Sequence, residues 1–232
     1  MSATVPVVEL RDVKKTYRQG ALDVPALRGV SLRIERGEFT AICGPSGSGK
    51  TTLLNLVGAL DAPDSGQVLL EGQDLGPMGR AKLATLRRDR IGFVFQAYNL
   101  VPVLKAFENA EIVLALQGVG EAARRDRVRK ILADVGLAGL EDRRPDQLSG
   151  GQQQRVAIAR AIAAEPAVIL ADEPTANVDS ETAVRLLDLM ETLNRERGAT
   201  FVFSTHDQRV MDRARRVIRL VDGRVESDVA KG

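Results

Sequence analysis

Apolar and polar residues along the chain fall into two recurring patterns, one of strand period and one of helix period. Val8-Glu-Leu10-Arg and Val30-Ser-Leu32-Arg-Ile34 change polarity at every residue, the period of half-buried strands, and a loop holding Tyr17, Gly20 and Pro25 is expected between them. Continuous apolar runs mark further strands at Phe39–Cys43, Val68–Leu70, Ile91–Phe95, Val168–Leu170 and Phe201–Phe203. Helical spacing links Leu53, Leu56, Val57 and Leu60, with Asp61-Ala-Pro63 as the expected stop. It recurs at Val128, Ile131, Leu132 and Val135 within Glu121–Val135, and at Ala183, Leu186, Leu187, Met190 and Leu193, where Gly198 ends the helix. Asp222-Gly223 between two apolar runs predicts a closing hairpin.

One junction between these patterns carries chemistry. The strand ending at Cys43 runs into Gly44, Pro45, Ser46, Gly47, Ser48, Gly49, Lys50, Thr51 and Thr52, which opens the helix of Leu53. A glycine, four residues and Gly-Lys-Thr between a strand and a helix is the pattern of a phosphate-binding loop. Its glycines let successive N–H groups turn onto an anion, and the helix adds its unpaired amides and positive dipole end. Lys50 then reaches the β- and γ-phosphates, and the Thr51 hydroxyl is placed to ligate Mg²⁺. The chain is expected to bind a nucleoside triphosphate.

Other strands also end on polar residues. Gln96 follows the Ile91 run, as a polar strand end or as a group over a phosphate site. The apolar run from Val168 leads straight to Asp172 and Glu173, and the carboxyl ends of parallel strands form the ligand crevice of such sheets. An aspartate there holds Mg²⁺ and an adjacent glutamate can orient or deprotonate water. His206, the single histidine, closes the Phe201 strand. Leu148-Ser-Gly-Gly-Gln152 opens another helix, with Ser149 able to cap it and Gly150 and Gly151 baring its amides as a second anion site. Tyr17 can stack on a base or pack on the sheet edge.

Composition narrows the partners. With 232 residues, 44% apolar and 28% charged, the chain is long enough for a substantial core. A net charge of +2 does not point to nucleic acid, and the arginines at 124, 125, 127 and 129 have no interleaved aromatics, so they read as a solvated face, as does Arg80–Arg90. Cys43 is alone and reads as a buried inert thiol in a reducing compartment. No apolar stretch approaches a membrane span, and a soluble cytosolic chain is expected. The apolar segment Ala97–Ala115 reads as core or as a docking groove for a partner helix.

The phosphate loop, Gln96, Leu148–Gln152, Ile169-Leu-Ala-Asp-Glu-Pro174, Asp179 and His206, in that order, resemble the nucleotide-binding subunit of an ABC transporter. That resemblance implies an α/β fold: a P-loop NTPase core with a mostly parallel sheet, an N-terminal antiparallel β-subdomain and a helical subdomain. Residues 1–232 then make one domain, with 1–96 plus 153–232 as the ATP-binding core and 97–152 as the helical part ending in the signature motif. The implied cofactors are ATP and Mg²⁺. Tyr17 would stack on adenine, and Gly44 to Thr52 would hold the phosphates. Thr51 and Gln96 would ligate Mg²⁺, with Asp172 acting through water. Glu173 would be the general base, assisted by His206 on the γ-phosphate and by Lys50 and Gln96. Ser149, Gly150, Gly151, Gln152 and Asp179 would serve ATP held by a second copy in a head-to-tail homodimer.

Within the family, Phe95–Pro102, Glu108-Asn109 and Asp172–Asn177 are similar to the lipoprotein-releasing and macrolide-efflux branch, whereas Asn177-Val178 departs from the commoner Ser-Ala-Leu-Asp that ends in Asp179. The resemblance implies an ATPase motor at the cytoplasmic face of the inner membrane, bound to an integral permease through residues 97–115 and to no nucleic acid. The competing class is a non-transport ABC ATPase acting on nucleic acid or ribosomes, which usually carries coiled coils, tandem cassettes or basic insertions absent from this sequence. A small-molecule kinase would leave Leu148–Gln152 unexplained.

Overall fold

A computed structural model describes residues 5–20 and 22–231, and every structural statement below concerns those residues. A four-stranded antiparallel sheet, ordered β2-β1-β4-β5, is made of β1 (Val8–Gln19), β2 (Leu22–Ile34), β4 (Ser65–Leu70) and β5 (Gln73–Asp74). The larger sheet contains β3 (Phe39–Cys43), β6 (Ile91–Val94), β7 (Val168–Asp172), β8 (Phe201–Ser204), β9 (Arg216–Val221) and β10 (Arg224–Ala230), in the order β10-β9-β3-β8-β7-β6. Its strands β9, β3, β8, β7 and β6 are parallel, and β10 returns antiparallel to β9. Asp222 and Gly223 turn that hairpin with φ of 47° and 74°, the positive pair that a two-residue turn needs.

The helices are α1 (Lys50–Val57), α2 (Arg80–Arg90), α3 (Ala106–Leu116), α4 (Glu121–Asp134), α5 (Gly150–Ala163), α6 (Ser180–Arg197) and α7 (Gln208–Arg213). Alternate residues of the central strands feed two separate cores. Phe201, Phe203, Ile169 and Ala171 pack under α3 to α6, while Val202, Val168 and Leu170 pack against α1 and the antiparallel sheet. A strand buried on both faces has no polar side to show, which is why these segments read as unbroken apolar runs. The three rings of Phe39, Phe201 and Phe203 form one cluster with centroids 4.7 to 5.7 Å apart. Val94, Ala106, Ala110 and Leu114 belong to the same core, so the helical part shares its interior with the large sheet. The expected division at 152/153 falls within α5.

Three local expectations are corrected. The loop expected around Tyr17 and Pro25 is a continuation of both strands, with Tyr17 opposite Val24 and Thr16 opposite Pro25. Thr16 to Arg18 and Leu22 to Pro25 are all exposed, so this ribbon has no buried face to impose alternation. Pro25 is tolerated because β2 is an edge strand. The helix after the phosphate loop ends at Val57, where the Gly58 N–H bonds back to Leu54 and Ala59 leaves helical geometry at φ 53°. Leu60 therefore lies outside the helix and is 49% exposed. Cys43 is half-buried and free rather than fully buried.

Segment 97–115 is part core and part surface. Ala106, Ala110 and Leu114 are core residues, whereas Val103 is 72% exposed. The irregular stretch before α3 is held through its main chain. Buried Asn109 accepts from Val101 N and donates to the carbonyls of Val101, Leu104 and Lys105 at 2.8 to 3.1 Å. Arg160 on α5 donates to the carbonyls of Tyr98 and Asn99. Beside this stretch Phe93, Phe95, Asn99, Val113, Arg160 and Ala164 line a groove of about 240 Å³.

A larger cavity of about 620 Å³ lies at the opposite end of the sheet from the phosphate loop, beside Pro166 and Thr200. Its Arg36, Arg127 and Arg197 are engaged with Glu71, Glu165 and Asp134, which neutralises most of its positive lining. Arg124 pairs with Glu111 at 2.6 Å, so two arginines of the basic α4 face are fixed rather than freely solvated.

Candidate active site

The phosphate loop leaves β3 at the carboxyl end of the parallel strands and enters α1 through Gly49. At φ 101° Gly49 adopts a backbone geometry that side chains rarely allow, and a Cβ there would lie 2.5 Å from the Ala26 carbonyl. Gly47, at φ 78°, has nothing within 4 Å of the corresponding position, so the inner side of the loop is open. No side chain caps α1. The amides at its start are thus left for a ligand, beside the positive end of the helix dipole. Lys50 Nζ lies along the loop, donating to the carbonyls of Gly44 at 2.9 Å and Pro45 at 3.0 Å. Ser48 turns inward, 2% exposed, and its carbonyl receives the Gly223 N–H, which ties the loop to the β9–β10 turn.

Around this loop the fold assembles a cleft of about 580 Å³. Gly44, Pro45, Ser46, Gly47, Gly49, Lys50, Thr51 and Thr52 form one wall, and Gln96, Glu173, Ser204 and His206 form the other. Residues distant in sequence meet because β6, β7 and β8 are neighbours and end at the same level. Glu173 sits just past β7 in a left-handed conformation, φ 46°, with its N–H bonded to the Ser204 carbonyl at 2.9 Å. Its carboxylate is gripped at both oxygens. Oε1 lies 2.6 Å from His206 Nδ1, and Oε2 accepts from the Thr205 hydroxyl at 3.1 Å.

A hard divalent cation fits at the inner edge of this cleft, between Thr51 of its lining and Asp172, which lies just outside the lining beside Leu54 and Phe95. Thr51 Oγ1 is 3.3 Å from Asp172 Oδ2, while Asp172 Oδ1 is buried with no partner. No group of three or more His, Cys, Asp or Glu among the described residues could enclose a metal. That donor set matches Mg²⁺, which is usually held by one or two carboxylates together with substrate phosphates rather than by a protein cage. The Gln96 amide stands at the edge: its Nε2 donates to Asn177 Oδ1 at 3.4 Å, and Asn177 Nδ2 donates to the Gln96 carbonyl at 3.0 Å.

The second set of expected residues is elsewhere. Ser149 Oγ accepts from Gln152 N at 3.3 Å and Gln152 Oε1 accepts from Ser149 N at 2.9 Å, a closed capping box at the start of α5. A Cβ on Gly151 would lie 2.3 Å from Thr182 Cγ2, so glycine is needed for α5 to approach α6. On Gly150 it would lie 2.8 Å from the Tyr98 hydroxyl. Asp179 caps α6, accepting from Thr182 N at 2.9 Å. None of Ser149, Gly150, Gly151, Gln152 and Asp179 lines the phosphate-loop cleft. Tyr17 is also outside the lining; its hydroxyl donates to Asp61 at 2.9 Å, and the Lys15 ammonium sits 5.2 Å from its ring centroid.

Sequence reasoning passed over the residues around His206. Thr205 and Asp207 flank it, and the run of five polar residues from Thr205 to Arg209 after a core strand is the available signal. Asp207 caps α7, is paired with Arg209 at 2.7 Å and accepts from Thr175 Oγ1 at 2.9 Å. Arg209, first, holds its carboxyl down from 3.8 to about 2, against the opposing effect of burial. A depressed carboxylate stabilises the fold above its unfolded value and loses that effect as the pH falls through the folded one. Asp207→Asn is therefore expected to be less stable than the parent at pH 6 by about 1–2 kcal/mol. The gap should close between pH 3.8 and about 2. Urea titrations at several pH values measure it, and a gap that persists in acid would refute the assignment.

A family model described as ABC transporter matches residues 27–176, a span that contains the phosphate loop, Gln96, Leu148–Gln152, Asp172 and Glu173. The chain is an ABC transporter ATPase. This ATPase is 47% identical, over 96% of its length, to the lipoprotein-releasing system ATP-binding protein LolD of Anaeromyxobacter dehalogenans, of which it covers 94%. It is also 47% identical to the macrolide export ATP-binding/permease protein MacB of Syntrophobacter fumaroxidans, but spans only 31% of that longer protein. The fold matches the ATP-binding cassette MJ0796 of Methanocaldococcus jannaschii, solved as a dimer in a post-hydrolysis state bound to ADP and Pi. That match has a TM-score of 0.89 at 45% identity and covers 96% of this chain and 98% of the other. The α/β architecture expected from the sequence is thus that of an ABC ATPase, and nucleotide binding and ATP hydrolysis are the activity of this chain.

Proposed function

We propose that the chain is the motor of a transporter of the MacB and LolD branch, working as a head-to-tail homodimer around two ATP molecules and docked on a separate integral membrane permease. The observation that carries this reading is the separation within one chain of the phosphate-loop cleft from Ser149–Gln152 and Asp179. Residues Ser149–Gln152, which lie outside the phosphate-loop cleft of their own chain, are accounted for when a second copy presents them to the first copy's ATP. A two-fold axis then makes both sites equivalent.

In this reading Lys50 and the amides from Gly47 to Thr52 bind the β- and γ-phosphates, and Tyr17 stacks on the adenine. Thr51, Gln96 and Asp172 would hold Mg²⁺, which would neutralise phosphate charge when bound. Glu173 takes the proton of the attacking water as its oxygen bonds to the γ-phosphorus and the bond to the bridging oxygen of ADP breaks. His206 donates a hydrogen bond to the γ-phosphate. Residues 1–96 with 153–232 act as the ATP-binding core of one domain, and 97–152 as its helical part.

The groove beside Phe93, Phe95 and Val113, together with exposed Val103, supports docking of a permease segment at 97–115. This would hold the chain at the cytoplasmic face of the inner membrane, with no nucleic-acid partner, in efflux or lipoprotein release. The test is affinity purification of the tagged chain from detergent-solubilised membranes of its source. A polytopic membrane protein should co-purify in a fixed ratio, and Val113→Glu should release it. Recovery with ribosomes or DNA instead would favour a non-transport ABC ATPase.

A further inference from the structure

Thr205 follows β8 directly and is completely buried. Its backbone N–H bonds to the Ile42 carbonyl at 3.0 Å, which fastens it to β3, the strand that leads into the phosphate loop. Both roles of its hydroxyl are occupied. It accepts from the Asp207 N–H at 2.9 Å, and it donates to Glu173 Oε2 at 3.1 Å. An ionised carboxylate only accepts, and the Asp207 amide only donates, so the single hydroxyl proton has one direction available. Asp207 in turn is fixed by Arg209 and Thr175.

The two neighbours of the Glu173 carboxylate differ in rigidity. The His206 side chain is 77% exposed, whereas Thr205 is enclosed and has a β-branched side chain with restricted χ1. The buried hydroxyl is the fixed partner. It holds Oε2 and leaves Oε1, on the His206 side, toward the cleft.

We propose that Thr205 is the positioning residue of the catalytic base, setting the orientation of the Glu173 carboxylate relative to the phosphate loop. This rests on Glu173 being the base. Displacement of a reacting group by about 1 Å can lower a rate about 100-fold. Thr205→Val keeps the shape and removes the hydroxyl, and is expected to reduce kcat about 10- to 100-fold with KM and ATP-driven dimerisation unchanged. Thr205→Ser restores the donor and should stay within about threefold of the parent. If the valine variant does not fold, Thr205→Ala carries the same expectation.

A double-mutant cycle separates positioning from general damage. In a Glu173→Ala background, Thr205→Val should lower the residual turnover no further, because its effect passes through the missing carboxylate. Full activity of Thr205→Val, or an additive loss in the Glu173→Ala background, would overturn the inference. Undiminished hydrolysis by Glu173→Ala alone would instead remove the base assignment, and the Thr205 role with it.

Discussion

Glu173→Gln is expected to bind ATP as the parent does, to lose about 10²- to 10⁴-fold in turnover, and to accumulate as an ATP-bound dimer. The substitution keeps the size of the side chain and its contacts with Thr205 and His206, so the left-handed backbone at φ 46° has no new reason to move. What it removes is the capacity to take a proton. The proposed phosphate-binding groups are on the opposite wall, where the open loop at Gly47, the uncapped start of α1 and Lys50 are untouched. With hydrolysis blocked, nucleotide shared by two copies in the proposed dimer would not be consumed. Steady-state phosphate release, equilibrium ATP titration and size-exclusion chromatography with and without ATP read the three parts separately. Retained turnover would move the base elsewhere in the cleft.

The second large effect concerns two variants that fail alone. Lys50→Ala removes the ammonium beside the phosphates, and Ser149→Arg places a bulky cation at the start of α5. Each is expected to be almost inactive as a homodimer. Mixed in equal amounts they should regain activity, because the mixed dimer pairs the intact phosphate loop of one chain with the intact Ser149 region of the other. Random pairing makes half of the dimers mixed, each with one whole site of two, so recovery of up to about a quarter of parental activity is expected where the sites act independently. If each cleft were complete within one chain, mixing could restore nothing, since both clefts would carry their defect unchanged. Ser149 does not line the cleft of its own chain, which makes this outcome discriminating.

The sequence displayed the buried strands and the core helices because burial leaves a mark in composition. Ala183, Leu186, Leu187, Met190 and Leu193 all lie in the interior as their spacing predicts. The outer end of the β1–β2 ribbon, Thr16–Arg18 with Leu22–Pro25, was illegible because it is exposed on both faces and its pairing is mainly a matter of backbone. Leu60 misled for a related reason: Gly58 and Ala59 end α1 through backbone geometry, while the apolar period runs on by chance. The phosphate loop could be read from its string, since each glycine there answers a local steric demand. The roles of Thr205, Asp207 and Asn177 could not, because their partners Glu173, Thr175 and Gln96 are brought near only by the order of the strands; Arg209, two residues from Asp207, is the one local partner among them.

Asn109 and Arg160 grip residues 98–105 exclusively through main-chain atoms, the amide of Val101 and the carbonyls of Tyr98, Asn99, Val101, Leu104 and Lys105. Every amino acid supplies those carbonyls. From Val101 to Leu104 the path over the protein is therefore held without the side chains of the stretch itself, whereas Tyr98 and Lys105 add bonds of their own to Asn177 and Asp142. The course of this surface is thus set mainly by two side chains outside it, Asn109 and Arg160, rather than by the residues it displays.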